Sequence, residues 1–242
     1  MLEGMYAAAA GMEAQQTQLD AISNDIANVD TTGYQSEQIG FRDLLYTTDN
    51  DLPSTAIVGS GAAASTIGYS QTQGSLEQTG NPLDLALDGS GYFQVRLANG
   101  STGLTRNGTF QLNATGQITT STGLELVPPI TVPHGTRASD ISIGADGTVN
   151  VGARRIGKIS VVEVPAPDKL LPQGNSVFVA TAASGSPQAA STVAIQQGYL
   201  EGSNVDLTAE MSNMETTDQA YDMASKAISF EAQLGQIAAT LK

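Results

Sequence analysis

Large apolar residues near the amino terminus recur at intervals of seven. They are Met5, Met12, Leu19 and Ile26. A row with this spacing lies along one side of an α-helix and forms a narrow apolar seam, which suits contact with other helices. Turn-forming residues at 28–33 then stop the pattern. We therefore predict a helix over residues 1–28 that packs against other helices through this row.

The turn after this helix is a candidate functional element. A turn here would set the direction in which the helix leaves the rest of the protein, whereas an ordinary loop would explain the same residues equally well. The sequence does not distinguish these two interpretations. The residues concerned are Asn28, Asp30, Thr31, Gly33 and Tyr34.

A second apolar row runs along the carboxyl-terminal part of the chain. Before it, Ser203 and Asp206 have the spacing of a capping box at a helix start. Apolar residues then recur every seven positions, although a companion row that begins at Met211 soon becomes polar. The pattern predicts a second helix with its own packing face. Its predicted packing positions are Leu207, Met211, Met214, Tyr221, Ile228, Leu234, Ile237 and Leu241.

The middle of the chain shows the period-two alternation of β-strands. Leu83, Leu85 and Leu87 alternate with residues that include Asp84 and Asp88, whose side chains are expected on a solvated face. Dipeptides typical of hairpin turns separate further strands. They are Asn99-Gly100, Asn107-Gly108 and Asp146-Gly147. We therefore predict an antiparallel β domain in this region.

Together these patterns predict an α+β fold. The N- and C-terminal α-helices pair as a coiled-coil-like layer, and the antiparallel all-β domain is inserted between them. The predicted divisions are 1–35 for the first helix and turn, 36–80 for an extended connector, 81–198 for the β-rich domain and 199–242 for the second helix. Because each seam is narrow, we expect the helices to be loosely ordered in the single molecule and to become fixed against neighbouring subunits. An ordinary two-helix hairpin docked on its own β domain fits the periodicity equally well.

Charge and composition narrow the range of partners. The chain has 242 residues, a formal net charge of −14 and only ten Lys and Arg residues, so we do not expect nucleic acid or an anionic membrane as a partner. It has no cysteine, which excludes disulfides and thiolate metal sites. No run approaches the ~20 apolar residues of a membrane span, and the first basic residue is Arg42. We expect a protein that is cytoplasmic or exported without a cleaved signal peptide.

The sequence offers no constellation for catalysis, for a cofactor or for a metal. His134 is the only histidine, and its neighbours Pro133 and Gly135 place it in a loop. Phosphate-binding glycine patterns and a nucleophile elbow are absent. We therefore predict that the protein is not an enzyme; an enzyme built on His134 and two carboxylates is one alternative. Another is a secreted β-rich module that binds carbohydrate through exposed aromatics, for which the candidates are Tyr69, Tyr92, Phe93, Phe110, Phe178 and Tyr199.

Four blocks along the chain resemble, in the same order, those of bacterial flagellar rod and hook proteins. The first comprises residues 11–16 (GMEAQQ) and 24–34 (NDIANVDTTGY). The other three are 81–93 (NPLDLALDGSGYF), 105–110 (TRNGTF) and 198–206 (GYLEGSNVD). Asp30 departs from the family motif, which usually has Asn there, but both residues suit a turn. The resemblance covers the whole chain.

The resemblance implies a structural role in motility. Family members are exported through the flagellar type III apparatus without a cleaved signal and stack as a helical homopolymer, next to other rod and hook proteins, in the basal body outside the cytoplasmic membrane. Their paired terminal helices line a hollow shaft that transmits torque and conducts later subunits. Residues 41–46 (FRDLLY) resemble the distal rod members. A connector shorter than expected for them leaves a proximal rod protein as the alternative.

Overall fold

The computed structural model describes residues 2–44, 47–48, 57–190 and 193–240. The chain divides into two compact units. The first, called here the helical unit, comprises Met1–Ala27, Glu37–Ile67 and Asp206–Lys242, as far as they are described. The second, called the β unit, comprises Asn28–Ser36 and Gly68–Val205. Leu241 and residues 45–46 of the predicted motif at 41–46 lie outside the described residues.

Two long helices dominate the helical unit. Helix α1 spans Leu2–Ala27 and helix α2 spans Leu207–Thr240, and the two contact each other. At the end of α1, the buried Asp25 carboxylate accepts hydrogen bonds from the Glu37 amide at 3.1 and 3.3 Å. The strands of this unit are β1 Glu37–Asp43, β2 Thr47–Thr48, β3 Ile57–Val58 and β4 Ala62–Tyr69, which pair as β1 with β4 and β2 with β3. Strand β4 extends two residues beyond the unit, and β1 to β4 all fall within the segment predicted as an extended connector.

Helix α2 begins later than the predicted capping box would place it. Ser203 was expected as the N-cap, but the capping carboxylate is that of Asp206, which accepts hydrogen bonds from the amides of Thr208 and Ala209 at 3.0 and 3.2 Å. Ser203 Oγ instead accepts one from the Val205 amide before the helix starts. The capping-box prediction is therefore wrong, because Asp206 caps the first turn and is not part of it.

Replacing Asp206 by Ala is expected to destabilise the first turn of α2 by about 1 kcal/mol, because two amides lose their acceptor. Hydrogen exchange at Thr208 and Ala209 should become faster. Ser212→Ala is the matched control, since Ser212 is exposed within the helix and provides no cap. Equal exchange rates in the Asp206→Ala variant and the unaltered protein would contradict the assignment of the cap.

Antiparallel pairing organises the β unit. Its main sheet has the order β16-β17-β8-β7-β11-β10-β9, and β15 pairs with both β7 and β18. The other sheets are β12-β13-β14, β19-β6 and β20-β5. The strands are β5 Leu76–Gln78, β6 Leu85–Asp88, β7 Tyr92–Arg96, β8 Thr102–Thr105, β9 Phe110–Leu112, β10 Ile118–Thr120, β11 Glu125–Leu126, β12 Ile141–Ile143, β13 Thr148–Val151, β14 Arg154–Lys158, β15 Val161–Glu163, β16 Leu171–Gly174, β17 Val177–Val179, β18 Gln188–Ala189, β19 Ala194–Gln197 and β20 Tyr199–Glu201.

The core of the β unit is made of the alternating apolar residues. Leu85, Leu87, Phe93, Phe110 and Val149 are all at most 2% exposed. The rings of Phe93 and Phe110 meet edge to face with centroids 5.2 Å apart, a favoured aromatic geometry. A helix near each end of the chain and an antiparallel β domain between them in sequence confirm the α+β class. The coiled-coil form of the helix pairing stays a prediction.

Two local predictions in the β unit are wrong. Asp84 is buried, because it bridges to Thr109 and its carboxylate accepts hydrogen bonds from Thr79 Oγ1 at 2.7 Å and Asn81 Nδ2 at 2.9 Å. Asn107-Gly108 does not close a hairpin, since β8 and β9 pair with different strands. The glycine at 108 is required for another reason: a Cβ there would overlap the carbonyl oxygen of Leu85.

Candidate functional site

The predicted packing row of α1 is only half-buried. Met5, Met12, Leu19 and Ile26 all keep part of their side-chain surface exposed. The fully buried positions are different ones, and small residues are prominent among them. They are Ala14, Ala21, Ile22 and Asp25. The face of α1 that is buried within the molecule is therefore not the row of large apolar residues.

Helix α2 has its most buried positions on one face. Thr217 is buried, and Met214, Tyr221, Ala224 and Ile228 are half-buried, with alternating spacings of three and four. Three of these, Met214, Tyr221 and Ile228, belong to the predicted row. The same spacing continues to Glu231, whose carboxylate lies where a Cβ on Gly4 of α1 would project. The carboxyl-terminal part of this face of α2 therefore lies close to the amino-terminal part of α1.

Another face of α2 exposes large apolar side chains. Met223, Phe230 and Ile237 recur every seven residues and are 65%, 62% and 56% exposed, and Leu234 beside them is 43% exposed. At about 100° per residue these four lie on a different side of the helix from Met214, Tyr221 and Ile228. We call them the exposed apolar stripe. Leu234 and Ile237 belong to the predicted packing set; Leu207 and Met211 of that set are also exposed, at 41% and 60%, but lie near the start of the helix.

The turn after α1 belongs to the β unit. The Thr31 amide donates to the carbonyl of Asn28 at 3.0 Å, and the Tyr34 amide donates to the carbonyl of Thr31 at 3.2 Å. Gly33 is buried, has a φ of 65° and donates its amide to the carbonyl of Glu201 at 2.8 Å. Asp30 is exposed. Backbone hydrogen bonds thus join three of the five predicted turn residues to one another, and a further one ties Gly33 to Glu201.

A buried ion pair was not predicted from the sequence. Arg106 Nη1 lies 2.8 Å from Glu201 Oε1, and the two residues are 2% and 3% exposed. Glu201 Oε1 also accepts the amide of Gly74 at 3.1 Å, and Arg106 Nη2 donates to the carbonyl of Gly89 at 3.3 Å. Arg106 lies in the block 105–110, where it is the only charged residue, and Glu201 lies in the block 198–206. These two opposite charges in separate blocks were the available signal.

Tyr92 extends this buried polar cluster. The Arg106 guanidinium carbon lies 5.5 Å from the centre of the Tyr92 ring, within the range of a cation–π contact. The hydroxyl donates to Gln71 Oε1 at 2.7 Å and lies 3.3 Å from Gln35 Oε1. Burial raises the pKa of the Tyr92 hydroxyl, and the positive charge of Arg106 opposes that rise. The cluster is a structural one, with its hydroxyl held neutral.

The described residues do not form the other candidate sites, those for catalysis, metal binding or carbohydrate binding. His134 is exposed in a turn. Among the described side chains, no three His, Asp or Glu residues are grouped so that they could hold a metal ion. The six aromatic candidates for carbohydrate binding do not form an exposed patch, because Tyr92, Phe93, Phe110 and Phe178 are buried and the other two are half-buried. Neither of the described helices is long and apolar enough to cross a membrane.

Comparison with known proteins identifies the family along most of the chain. Residues 5–35 match the profile described as "Flagella basal body rod protein", residues 86–151 match "Flagellar hook protein FlgE/F/G D1 domain", and residues 196–241 match "Flagellar basal body rod FlgEFG protein C-terminal". These regions contain the blocks on which the resemblance was based, except for part of the block at 81–93.

Full-length relatives agree with these profiles. The flagellar basal-body rod protein FlgG of Agrobacterium fabrum is 37% identical over 258 residues, covering 98% of each chain. FlgG of Caulobacter vibrioides is 35% identical over 263 residues, covering all of both chains, and FlgF of the same bacterium is 31% identical over 94% of each. The FlgG relatives confirm the resemblance to the distal rod branch. This chain therefore belongs to the flagellar basal-body rod protein family.

Proposed function

We propose that this rod protein polymerises into the distal part of a hollow shaft through apolar faces of its two terminal helices. The shaft would transmit torque and conduct later subunits through its lumen. The partners would be further copies of the chain, the neighbouring rod and hook proteins and the flagellar export apparatus. Its place would be the basal body outside the cytoplasmic membrane, reached without a cleaved signal peptide. The FlgG relatives favour the distal over the proximal rod.

The observation that carries this proposal is the exposed apolar stripe of α2. Its residues Met223, Phe230, Leu234 and Ile237 extend over about 21 Å of helix, at 1.5 Å per residue. Burying one such side chain is worth about 1.5–3 kcal/mol, so leaving four in water has a considerable cost. Heptad spacing is also the pattern by which one helix packs into another. A helix of a neighbouring copy is therefore a fitting cover for this face.

The half-buried row of α1 adds a second surface. Met5, Met12, Leu19 and Ile26 could bury their remaining surface against another helix, while the small Ala14 and Ala21 allow close approach within the molecule. We infer that α1 and α2 form a coiled-coil-like layer to which neighbouring subunits add their own helices. The turn at Gly33 and Tyr34 would set the angle between layers of the shaft.

The double variant Met223→Gln and Phe230→Gln tests the proposal. We expect a folded protein with unchanged helix content and melting temperature, since both side chains are exposed in the single copy. In a strain that lacks its own copy of the gene, swimming in soft agar should be abolished, because two apolar contacts of each subunit become polar. Electron micrographs of basal bodies should show rods without a distal segment.

The matched control is Ser225→Gln with Ser229→Gln, two exposed positions on another face of the same helix. It introduces the same glutamines without removing an apolar contact, so swimming should be normal. If the Met223 and Phe230 variant swims as well as this control, the stripe is not an assembly surface.

A further inference from the structure

Strand β14 concentrates positive charge on an otherwise acidic protein. It is a terminal strand of the β12-β13-β14 sheet and contains the exposed Arg154, Arg155 and Lys158. These are three of the ten Lys and Arg residues of a chain with a net charge of −14. We call them the basic edge.

A bulge in β14 brings two of these side chains to one face. Thr148 pairs with Lys158 and Asn150 pairs with Arg155, whereas the fully buried Val149 pairs with Gly157. Residues that are paired across two strands point to the same side of the sheet. Because the irregularity lies between these pairs, Arg155 and Lys158 both point away from the core although they are three residues apart.

The arginines of the basic edge lack an acidic partner in the described part of the chain. Lys158 lies near Asp146 and helps to lower the pKa of that carboxyl, after the hydrogen bonds from Thr148. Arg154 and Arg155 form no ion pair with a described residue. Charged side chains on an outer strand, lysine above all, discourage sheets from joining edge to edge. Lys158 suits that purpose, but edge protection leaves the two arginines without an acidic partner unexplained.

Complementary charge lies on α2. Glu215, Asp218 and Asp222 are exposed and, at spacings of three and four, occupy one face of the helix. None of them forms an ion pair with a described residue. We call them the acidic stripe. It is about 10 Å long at 1.5 Å per residue, and the basic edge is about 13 Å long at 3.3 Å per residue.

We propose that the basic edge of one copy packs against the acidic stripe of a second copy. This inference rests on the proposed polymerisation and adds the charge contact that aligns the copies. Arg154 pairs with Val151, which packs against the core, so Arg155 and Lys158 are the cations that face outward together. Subunits that each carry −14 repel one another, so assembly favours an arrangement that brings these two cations to the three carboxylates. The contact therefore selects which relative position of two copies is stable.

Charge reversal in cells is the first test. The double variant Arg155→Glu and Lys158→Glu should shrink the swimming zone at least about fivefold, because like charges then face each other. The control Arg96→Glu with Lys169→Glu makes the same change in net charge at two exposed positions elsewhere in the β unit and should swim normally. Adding Asp218→Lys and Asp222→Lys to the first variant should restore swimming to within about twofold of the control, because the contact is rebuilt with the signs exchanged.

Cross-linking gives a second readout, the proximity of the two surfaces in the assembled shaft. The chain has no cysteine, so two genes can be expressed together, one encoding Arg155→Cys and the other Asp218→Cys. A short bismaleimide should then join two copies in isolated basal bodies. Neither variant expressed alone, nor Arg96→Cys expressed with Asp218→Cys, should give this product. Each chain carries a single cysteine, so every cross-link is between copies.

The outcomes separate the two proposals. If the Arg155 and Lys158 variant swims like its control, or if no cross-link forms between positions 155 and 218, the contact is overturned and the helix-mediated assembly stands. If the reversed acidic stripe fails to restore swimming while the cross-link is also absent, the contact is again overturned. If the unaltered gene fails to restore swimming to the deletion strain, the shaft assignment falls and takes this contact with it.

Discussion

Replacing Glu201 by Gln is expected to destabilise the β unit by about 3–5 kcal/mol, the usual loss when one partner of a buried ion pair is removed. The change keeps the size of the side chain but leaves the Arg106 guanidinium buried without its counter-charge. Both residues are almost fully buried, so water cannot replace the lost carboxylate. The free energy of unfolding in urea, followed by circular dichroism of the full chain, measures the loss.

The loss of stability in the Glu201→Gln variant should be greatest around Glu201, which joins separate parts of the chain. Its carboxylate accepts Arg106 Nη1 at 2.8 Å and the amide of Gly74 at 3.1 Å, and its carbonyl accepts the amide of Gly33 at 2.8 Å. Three segments distant in sequence therefore converge on one residue. Hydrogen exchange at the amides of Gly74 and Gly33 should become faster in the variant than exchange in the core strands.

An exposed ion pair provides the control. Lys169 Nζ lies 3.0 Å from Asp168 Oδ2, and both side chains are about half exposed, so Asp168→Asn should cost at most about 1 kcal/mol. Replacing both Arg106 and Glu201 by Met should cost less than Glu201→Gln alone, because no buried charge is left unpaired. A Glu201→Gln loss no greater than that of Asp168→Asn would show that the buried pair does not stabilise the β unit.

The sequence predicted the two helices because their signal is local. Apolar residues repeated every seven positions mark a helix wherever it lies, and Met214, Tyr221 and Ile228 do lie on a partly buried face. The most buried face of α1 could not be predicted in the same way. Ala14 and Ala21 are small and contribute little to an apolar pattern, whereas the larger Met5 and Met12 mark a different side of the helix.

Polar residues of the β unit were harder to predict, because their environment depends on distant partners. Alternation placed Asp84 on a solvated face, yet Thr79 and Asn81 provide hydrogen bonds that make its burial tolerable. Arg106 and Glu201 are 95 positions apart, and no local pattern connects them. The turn at 28–34 was predictable, since Gly, Asn and Thr favour turns, but the tight contact made by Gly33 was not.

Replacing Gly33 by Ala should destabilise the β unit by about 2–5 kcal/mol. Its φ of 65° belongs to the left-handed region, which costs a residue with a Cβ about 1–2 kcal/mol. A Cβ would also lie 2.5 Å from the backbone nitrogen of Asn107 and 2.6 Å from the carbonyl carbon of Arg106. Backbone atoms cannot rotate away as a flexible side chain can, so relieving this overlap adds about 1–3 kcal/mol.

Gly80→Ala separates the two causes of this loss. Gly80 has nearly the same conformation, with a φ of 71°, but nothing lies within 4 Å of a Cβ placed there. It should therefore show only the conformational cost of about 1–2 kcal/mol. Urea unfolding of both variants measures the difference, and faster hydrogen exchange at residues 31–34 in the Gly33 variant alone would locate it. Equal losses would mean that the turn moves away from Asn107 without cost, so that Gly33 is required only for its backbone conformation.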